Sequence, residues 1–207
     1  MTLIDQLLPD RRPAPSIREA DIEAEMVRAA AHDPAALAPL YERYAARLYA
    51  YCLRRVDHPH DAEDLTSAIF ARALDTAHGY RGGLVAAWLF RIARSMVANY
   101  FRSRKPSVSL EGLPAEGAWA LDSGDQAEPL DQVMRAEEQR ALHRLIAELR
   151  DDERDLLALR IAAGLSAEEV GAIFGTSAGA IRTRTHRLIQ HLRAELRRRH
   201  PDDEELA

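Results

Sequence analysis

Between Pro106 and Leu130 the chain carries Gly112, Pro114, Gly117, Gly124 and Pro129, together with five acidic residues and no basic one. Such a stretch sustains no helical period and offers no face to bury, and its like charges favour an extended linker. The 207 residues therefore divide into two small helical modules, expected at 25–105 and 131–200. They are joined by an acidic linker at 106–130 and flanked by a mobile arm at 1–24 and an acidic tail at 201–207. A short helix is expected from about Glu19 to Ala31, where the arm gives way to the first module.

Both modules read as helical, so the expected fold class is all-α: two small helical domains on a flexible linker. Alternating Val/Ile/Thr/aromatic runs are almost absent. Leu37, Leu40, Tyr41, Tyr44, Leu48, Tyr51, Cys52 and Val56 recur at spacings of mainly three and four, one apolar helical face. Asp33-Pro34 supplies a cap followed by proline at a first helical position, and Pro39 either kinks the first turns or marks where the regular helix begins. After a break at Asp57–His60, a helix to about Ala77 opens with Asp61, Glu63 and Asp64, which suit the positive end of the helix dipole. A loop at His78–Gly83 precedes a helix from about Leu84 to Arg104. In the second half, Asp151 or Asp152 is expected to cap a helix that Gly164 ends. Ser166 and Glu169 form a capping box, Gly175 fits the left-handed turn that follows, and Ser177 caps a last helix to about Arg199.

Composition narrows the function classes. One cysteine, Cys52, excludes a disulfide framework and a cysteine-based zinc site within the chain. No apolar run reaches the ~20 residues of a membrane span, and no secretory leader is visible at Met1–Arg12, so the expected setting is the cytoplasm, with no membrane insertion. No phosphate loop, nucleophile elbow or metal motif appears. His58, His60 and His78 read as solvated loop residues, not a metal site. No enzymatic activity, metal or cofactor is expected.

The net charge of −5 argues at first against nucleic acid, but it is a sum over unlike parts. Arg81 to Lys105 holds six basic residues and no acidic one. Arg91, Arg94, Arg102 and Lys105 fall within about 80° of one another on a helical wheel, interleaved with Trp88, Phe90, Tyr100 and Phe101. Basic strips with planar side chains suit a nucleic-acid backbone with unstacked bases. Ala180 to Arg199 holds seven arginines and one acid, Glu195. From Leu165 to Arg184 the sequence reads as a helix–turn–helix, with Val170, Ile173 and Phe174 inward, Gly171 small where two helices meet, and Ile181 and Leu188 anchoring the second helix. Ser177, Ala178, Gly179, Arg182, Thr183, Arg184, Thr185 and Arg187 then face the groove, where arginine and threonine can read base edges or hold phosphates.

These features together resemble the extracytoplasmic-function (ECF, group 4) sigma factors of bacterial RNA polymerase. Asp61–Phe70 looks like their region 2.2, Ala87–Arg102 like regions 2.3 and 2.4, and Leu149–Arg160 with the helix–turn–helix like region 4. The resemblance implies that Asp61, Glu63, Asp64, Leu65 and Phe70 dock on the β′ coiled coil of core polymerase. It also implies that Tyr80, Arg81, Trp88, Arg91, Arg94, Asn99 and Arg102 read and melt the −10 element, while the Ser177–Arg187 set binds the −35 duplex. It further implies a β-flap contact, passage of the linker along the RNA exit path, and control by an anti-sigma factor. The chain departs from common family residues at Ser67-Ala68, Ser95, Asn99 and Ala180, positions that bear on docking and −10 preference. The rival readings are a stand-alone helix–turn–helix regulator and an inactive sigma-like antagonist. A regulator needs neither the Asp61–Phe70 motif nor the aromatic-basic helix.

Overall fold

The computed structural model describes residues 14–103 and 129–199, and every regular element among them is helical. Residues 106–128 of the linker expected at 106–130, residues 1–13 of the arm expected at 1–24, the tail from 201 and Lys105 lie outside the described residues, and the linker's last two expected residues, Pro129 and Leu130, fall in a helix.

The short helix expected from about Glu19 to Ala31 forms and begins two residues earlier: α1, Ile17–Ala30, takes in residues expected as arm, because Ser16 opens it with a complete capping box. The Glu19 amide donates to the Ser16 hydroxyl, and the Glu19 carboxylate accepts the Ser16 amide at 2.8 Å. Val27 and Ala30 then enter the core. Buried Glu23 accepts the Tyr44 hydroxyl at 2.9 Å and pairs with Arg43 at 2.9 Å. Burial raises its carboxyl above the ordinary range, against the opposing pull of those partners.

Asp33 caps a 3₁₀ turn over Pro34–Leu37, and α2, Ala38–Val56, starts there, so Pro39 sits harmlessly in its first turn. Asp57 ends α2 in the left-handed region, with φ 61°. From there α3 (Pro59–Thr76) runs back along α2, and α4 (Val85–Ser103) closes the first module. The buried stripe of α2 is the one the spacing marks. Cys52 is fully enclosed, and burial pushes its thiol up to about 12, an inert small core residue. Leu48 and Leu89 are equally enclosed. Truncating either to alanine would cost roughly 2–5 kcal/mol.

The second module begins with α5, Pro129–Glu148, whose Leu142, Leu145 and Ile146 pack against the long last helix. The cap expected at Asp151 or Asp152 falls instead at Arg150: both aspartates already lie in the first turn of α6, Asp151–Leu157. Glu153 reaches back to accept the Arg150 amide at 3.2 Å. α6 runs on into a π turn over Ala158–Ala162, where the Ala163 amide bonds Ala158 at 2.9 Å. Then α7 (Ala167–Phe174) and α8 (Ala178–Arg199) form the helix–turn–helix. Ser166 and Glu169 make the expected reciprocal bonds, at 3.1 and 2.7 Å. Gly175 has φ 69°, as the turn requires. Gly171 is fixed by space: a Cβ there would stand 2.7 Å from the Thr176 carbonyl oxygen.

The two modules are packed together. α4 lies on α7, and α2 on the π turn. Arg47 of α2 donates to the Ala163 carbonyl at 2.8 Å, and Tyr51 donates to Asp155 of α6 at 2.6 Å.

Candidate nucleic-acid interface

Three surfaces hold the residues expected to act. The first lies between α3 and α4. Trp88, Arg91, Ile92, Ser95, Met96 and Asn99 of α4 face Ala68, Ala71, Arg72, Asp75 and Thr76 of α3 across an open cleft of about 750 Å³. At its end, Tyr80 donates to the Gly83 carbonyl at 2.6 Å and packs tilted, at 59°, against Trp88, ring centroids 5.3 Å apart. Gly82 and Gly83, at φ 93° and 95°, bend the loop into this shape and leave Arg81 in solvent. Tyr80, Arg81, Trp88 and Arg91 are thus brought to one end of the cleft, whereas Asn99 lines its other end, about three turns along α4, with Arg102 exposed one turn beyond it.

Two of the arginines are not free. Arg91 donates to the Ala172 carbonyl of α7, and Arg94 pairs with Asp155 and lies 4.4 Å over the Phe174 ring. Among the aromatics interleaved with the arginines, Phe90 is fully buried, edge-on to Tyr51 at 5.7 Å. It is a core residue and offers no stacking platform, because α2 covers the face on which the wheel left it open. Tyr100 is tied to Asp61 at 2.7 Å, and Phe101 stays half exposed.

The second surface is the acidic start of α3. Glu63 and Asp64 are exposed and Leu65 is half-buried. Asp61 faces α4 through Tyr100. Phe70, expected on the docking face, is 5% exposed and packs on Tyr41 at 4.7 Å, so it supports the helix from within.

The third surface is the outer stripe of α8. Ser177 accepts the Ala180 amide at 3.1 Å. Gly179, Arg182, Thr183 and Arg187 are exposed, and Ala178 is half-buried. Thr185, expected to face the groove, is 4% exposed and turns inward. Arg184 leans off the stripe, held by Asp152 and lying 5.6 Å over Phe174. Arg182 pairs with Glu168 at 3.0 Å. Glu168 is held below its ordinary range first by its own backbone amide and then by Arg182. His186 and Gln190 share the stripe and are exposed. Their spacing from Arg182 and Thr183, at i+4 and i+7, was the sequence signal for them.

Comparison with known proteins fits this geometry. Residues 40–106 match the family model for Sigma-70 region 2, and residues 139–192 match that for Sigma-70, region 4. The chain is 34% identical over 196 residues to the ECF RNA polymerase sigma factor BldN of Streptomyces coelicolor, covering 93% of this chain and 71% of BldN. This chain belongs to the ECF sigma factors. It is 29% identical over 170 residues to SigW of Bacillus subtilis, 80% of this chain and 91% of that one. A solved structure of CnrH in complex with the cytosolic domain of CnrY shares the fold, with TM-score 0.58 and 19% identity over 88% of this chain and 99% of CnrH. As an ECF sigma factor the chain is a transcription-initiation subunit of RNA polymerase, and sigma factors as a class are not enzymes. The presence of region 2 beside region 4 disfavours the stand-alone regulator. Among the described residues, no helix is long and apolar enough to cross a membrane, and no cluster of His, Cys, Asp and Glu could hold a metal.

Proposed function

We propose that this ECF sigma factor holds core polymerase through the exposed start of α3 and reads its promoter through two separate faces. Glu63 and Asp64, with Leu65 beside them, supply the docking surface on the β′ coiled coil. Asp61 positions that surface by tying α3 to α4 through Tyr100. The cleft from Tyr80, Arg81 and Trp88 at one end to Asn99 at the other, with Arg91, Arg94 and Arg102, captures the melted −10 strand: arginines hold phosphates while planar rings accept unstacked bases. Ser177, Ala178, Gly179, Arg182, Thr183 and Arg187 face the major groove of the −35 duplex, with Arg184 bordering them.

The observation that carries this reading is the coexistence of two unlike surfaces. One is a cleft that carries Trp88, Arg72 and Arg91 on its walls and Tyr80 and Arg81 beside its mouth, suited to single strands. The other is a helix–turn–helix stripe suited to duplex. Promoter opening needs both. The protein would act in the cytoplasm, without catalysis of its own, and would be held in check by an anti-sigma factor covering one or both modules. A β-flap contact by the second module completes the set.

Run-off transcription with purified core polymerase on genomic promoter fragments tests the reading. Promoter-specific transcripts are expected, and they should be lost in the Asp64→Arg variant. Duplex binding with no core association and no transcript overturns it.

A further inference from the structure

Asp155 of α6 is 3% exposed, yet the polar partners the structure gives its carboxylate all come from the other module. Tyr51 donates to Oδ1 at 2.6 Å, Arg55 stands 3.6 Å from the same oxygen, and Arg94 pairs with Oδ2. A desolvated carboxylate is stable only with such donors. Asp155 is therefore satisfied while the modules touch, and on separation it must return to water. Around it, Arg55 also holds Asp151 at 2.5 Å, Arg47 holds the Ala163 and Gly164 carbonyls and lies 3.7 Å from Glu169, and Phe174 packs under Arg94.

Two of the groups so engaged, Arg91 and Arg94, belong to the −10 face. Arg94 cannot pair with Asp155 and with a DNA phosphate at once. Distance makes the same demand. Elements centred at −10 and −35 lie about 25 base pairs apart, roughly 85 Å at 3.4 Å per pair, whereas here α4 and α7 are in direct contact. The 25 residues between Ser103 and Pro129 can extend to about 85 Å, so the linker permits separation that the packed form does not use.

We infer that Asp155 is the latch of an autoinhibited closed form, in which the second module offers carboxylates and carbonyls to the −10 face in place of DNA phosphates. The latch is one-sided. Arg182, Thr183 and Arg187 stay exposed in the closed form, so −35 duplex binding is available while −10 binding is withheld. This inference rests on the assignment of Arg91 and Arg94 to the −10 face.

The test uses the full chain labelled at His60→Cys and Ala194→Cys, both exposed sites, while Cys52 stays buried and unreactive. Energy transfer reports module separation. A forked DNA bearing a promoter recovered by run-off transcription reports −10 binding, and the matching −35 duplex reports integrity of the second module. Asp155→Asn is expected to lower energy transfer and to tighten fork binding by about tenfold, as release of a mostly closed population requires, with duplex binding unchanged. Unchanged transfer overturns the latch. Lower transfer without tighter fork binding overturns autoinhibition and locates the fault in the −10 assignment. If Asp155→Asn loses duplex binding it has unfolded, and Tyr51→Phe and Arg55→Gln, both remote from the DNA-facing residues, then decide by the same two readouts.

Discussion

Replacing Gly171 by alanine asks whether the close crossing of α7 and α8 holds the helix–turn–helix in shape. The added Cβ would lie 2.7 Å from the Thr176 carbonyl oxygen, 3.3 Å from the Ala178 amide nitrogen and 3.4 Å from the Ser177 carbonyl carbon. All three are backbone atoms, so no flexible side chain can move aside, and the turn itself must shift. Overpacking of this kind costs about 1–3 kcal/mol. Alanine in a helix interior returns about 1 kcal/mol relative to glycine, leaving a net loss of up to about 2 kcal/mol. For a module of this size each kcal/mol moves Tm by about 4–8 °C, so the second module should melt up to roughly 15 °C lower. The matched control is Gly179→Ala, where a Cβ meets nothing nearer than the Ser177 hydroxyl at 3.9 Å. There the propensity gain stands alone, and Tm should hold or rise. Thermal unfolding followed by far-ultraviolet circular dichroism measures both. A Tm for Gly171→Ala raised as far as that of Gly179→Ala would refute the reasoning, since the backbone clash would then be absent.

Arg187→Ala should weaken −35 duplex binding by about 1–3 kcal/mol with altered base preference if it reads a base, or flatten the salt dependence by about one unit if it holds a phosphate. Arg184→Ala should change it less, because Asp152 and Phe174 already hold that side chain. A larger loss at Arg184 would show that it swings outward on DNA. Asp64→Arg should reduce core-polymerase binding and spare duplex binding, and equal loss of both in a filter-binding comparison would point to misfolding. His143 lies half-buried on α5, and burial first, then nearby Arg54, lowers its pKa from the ordinary 6.5. The neutral ring is favoured in the folded state, so its contribution is complete above pH 6.5 and is lost as the pH falls through the lowered value. His143→Gln should therefore melt with less loss of Tm between pH 7.5 and 5.5 than the parent chain; identical losses would remove His143 from the pH response.

What the sequence made legible follows from how local the signal is. The Ser166–Glu169 box, Gly175 and Ser177 are each set by bonds three or four residues long, and the structure has them where the pattern puts them. The Ser16–Glu19 box is just as local. The pattern places the start of that helix only at about Glu19, because Pro9, Pro13 and Pro15 precede the box and no long apolar run follows, although Val27 and Ala30 suffice to dock the helix. Phe90 and Thr185 could not be placed by a helical wheel alone. Each lies at the border of a packing face, and an element distant in sequence decides which side it joins. Asp155 was least legible. A carboxylate among Leu156, Leu157 and Leu159 reads as a solvated break in an apolar run, and its donors Tyr51 and Arg55 come from about a hundred residues earlier.

The π turn at Ala158–Ala162 has a consequence for how such a protein can change its target. It inserts one residue into a helix that would otherwise run on from α6, and each residue of an α-helix turns the chain by about 100°. A π turn is wider than an α turn and rotates the chain less per residue, so it takes up most of the extra rotation locally, and α7, the Gly175 turn and α8 keep close to the bearing an uninterrupted helix would give them. Deleting one residue between Ala158 and Ala162 would therefore restore the ordinary ladder with little change in how α8 is presented. On the proposed assignment of α8 to the −35 duplex, substitutions on α8 alter which letters are read, whereas this turn is where the chain can gain or lose a residue without moving the helix that reads them.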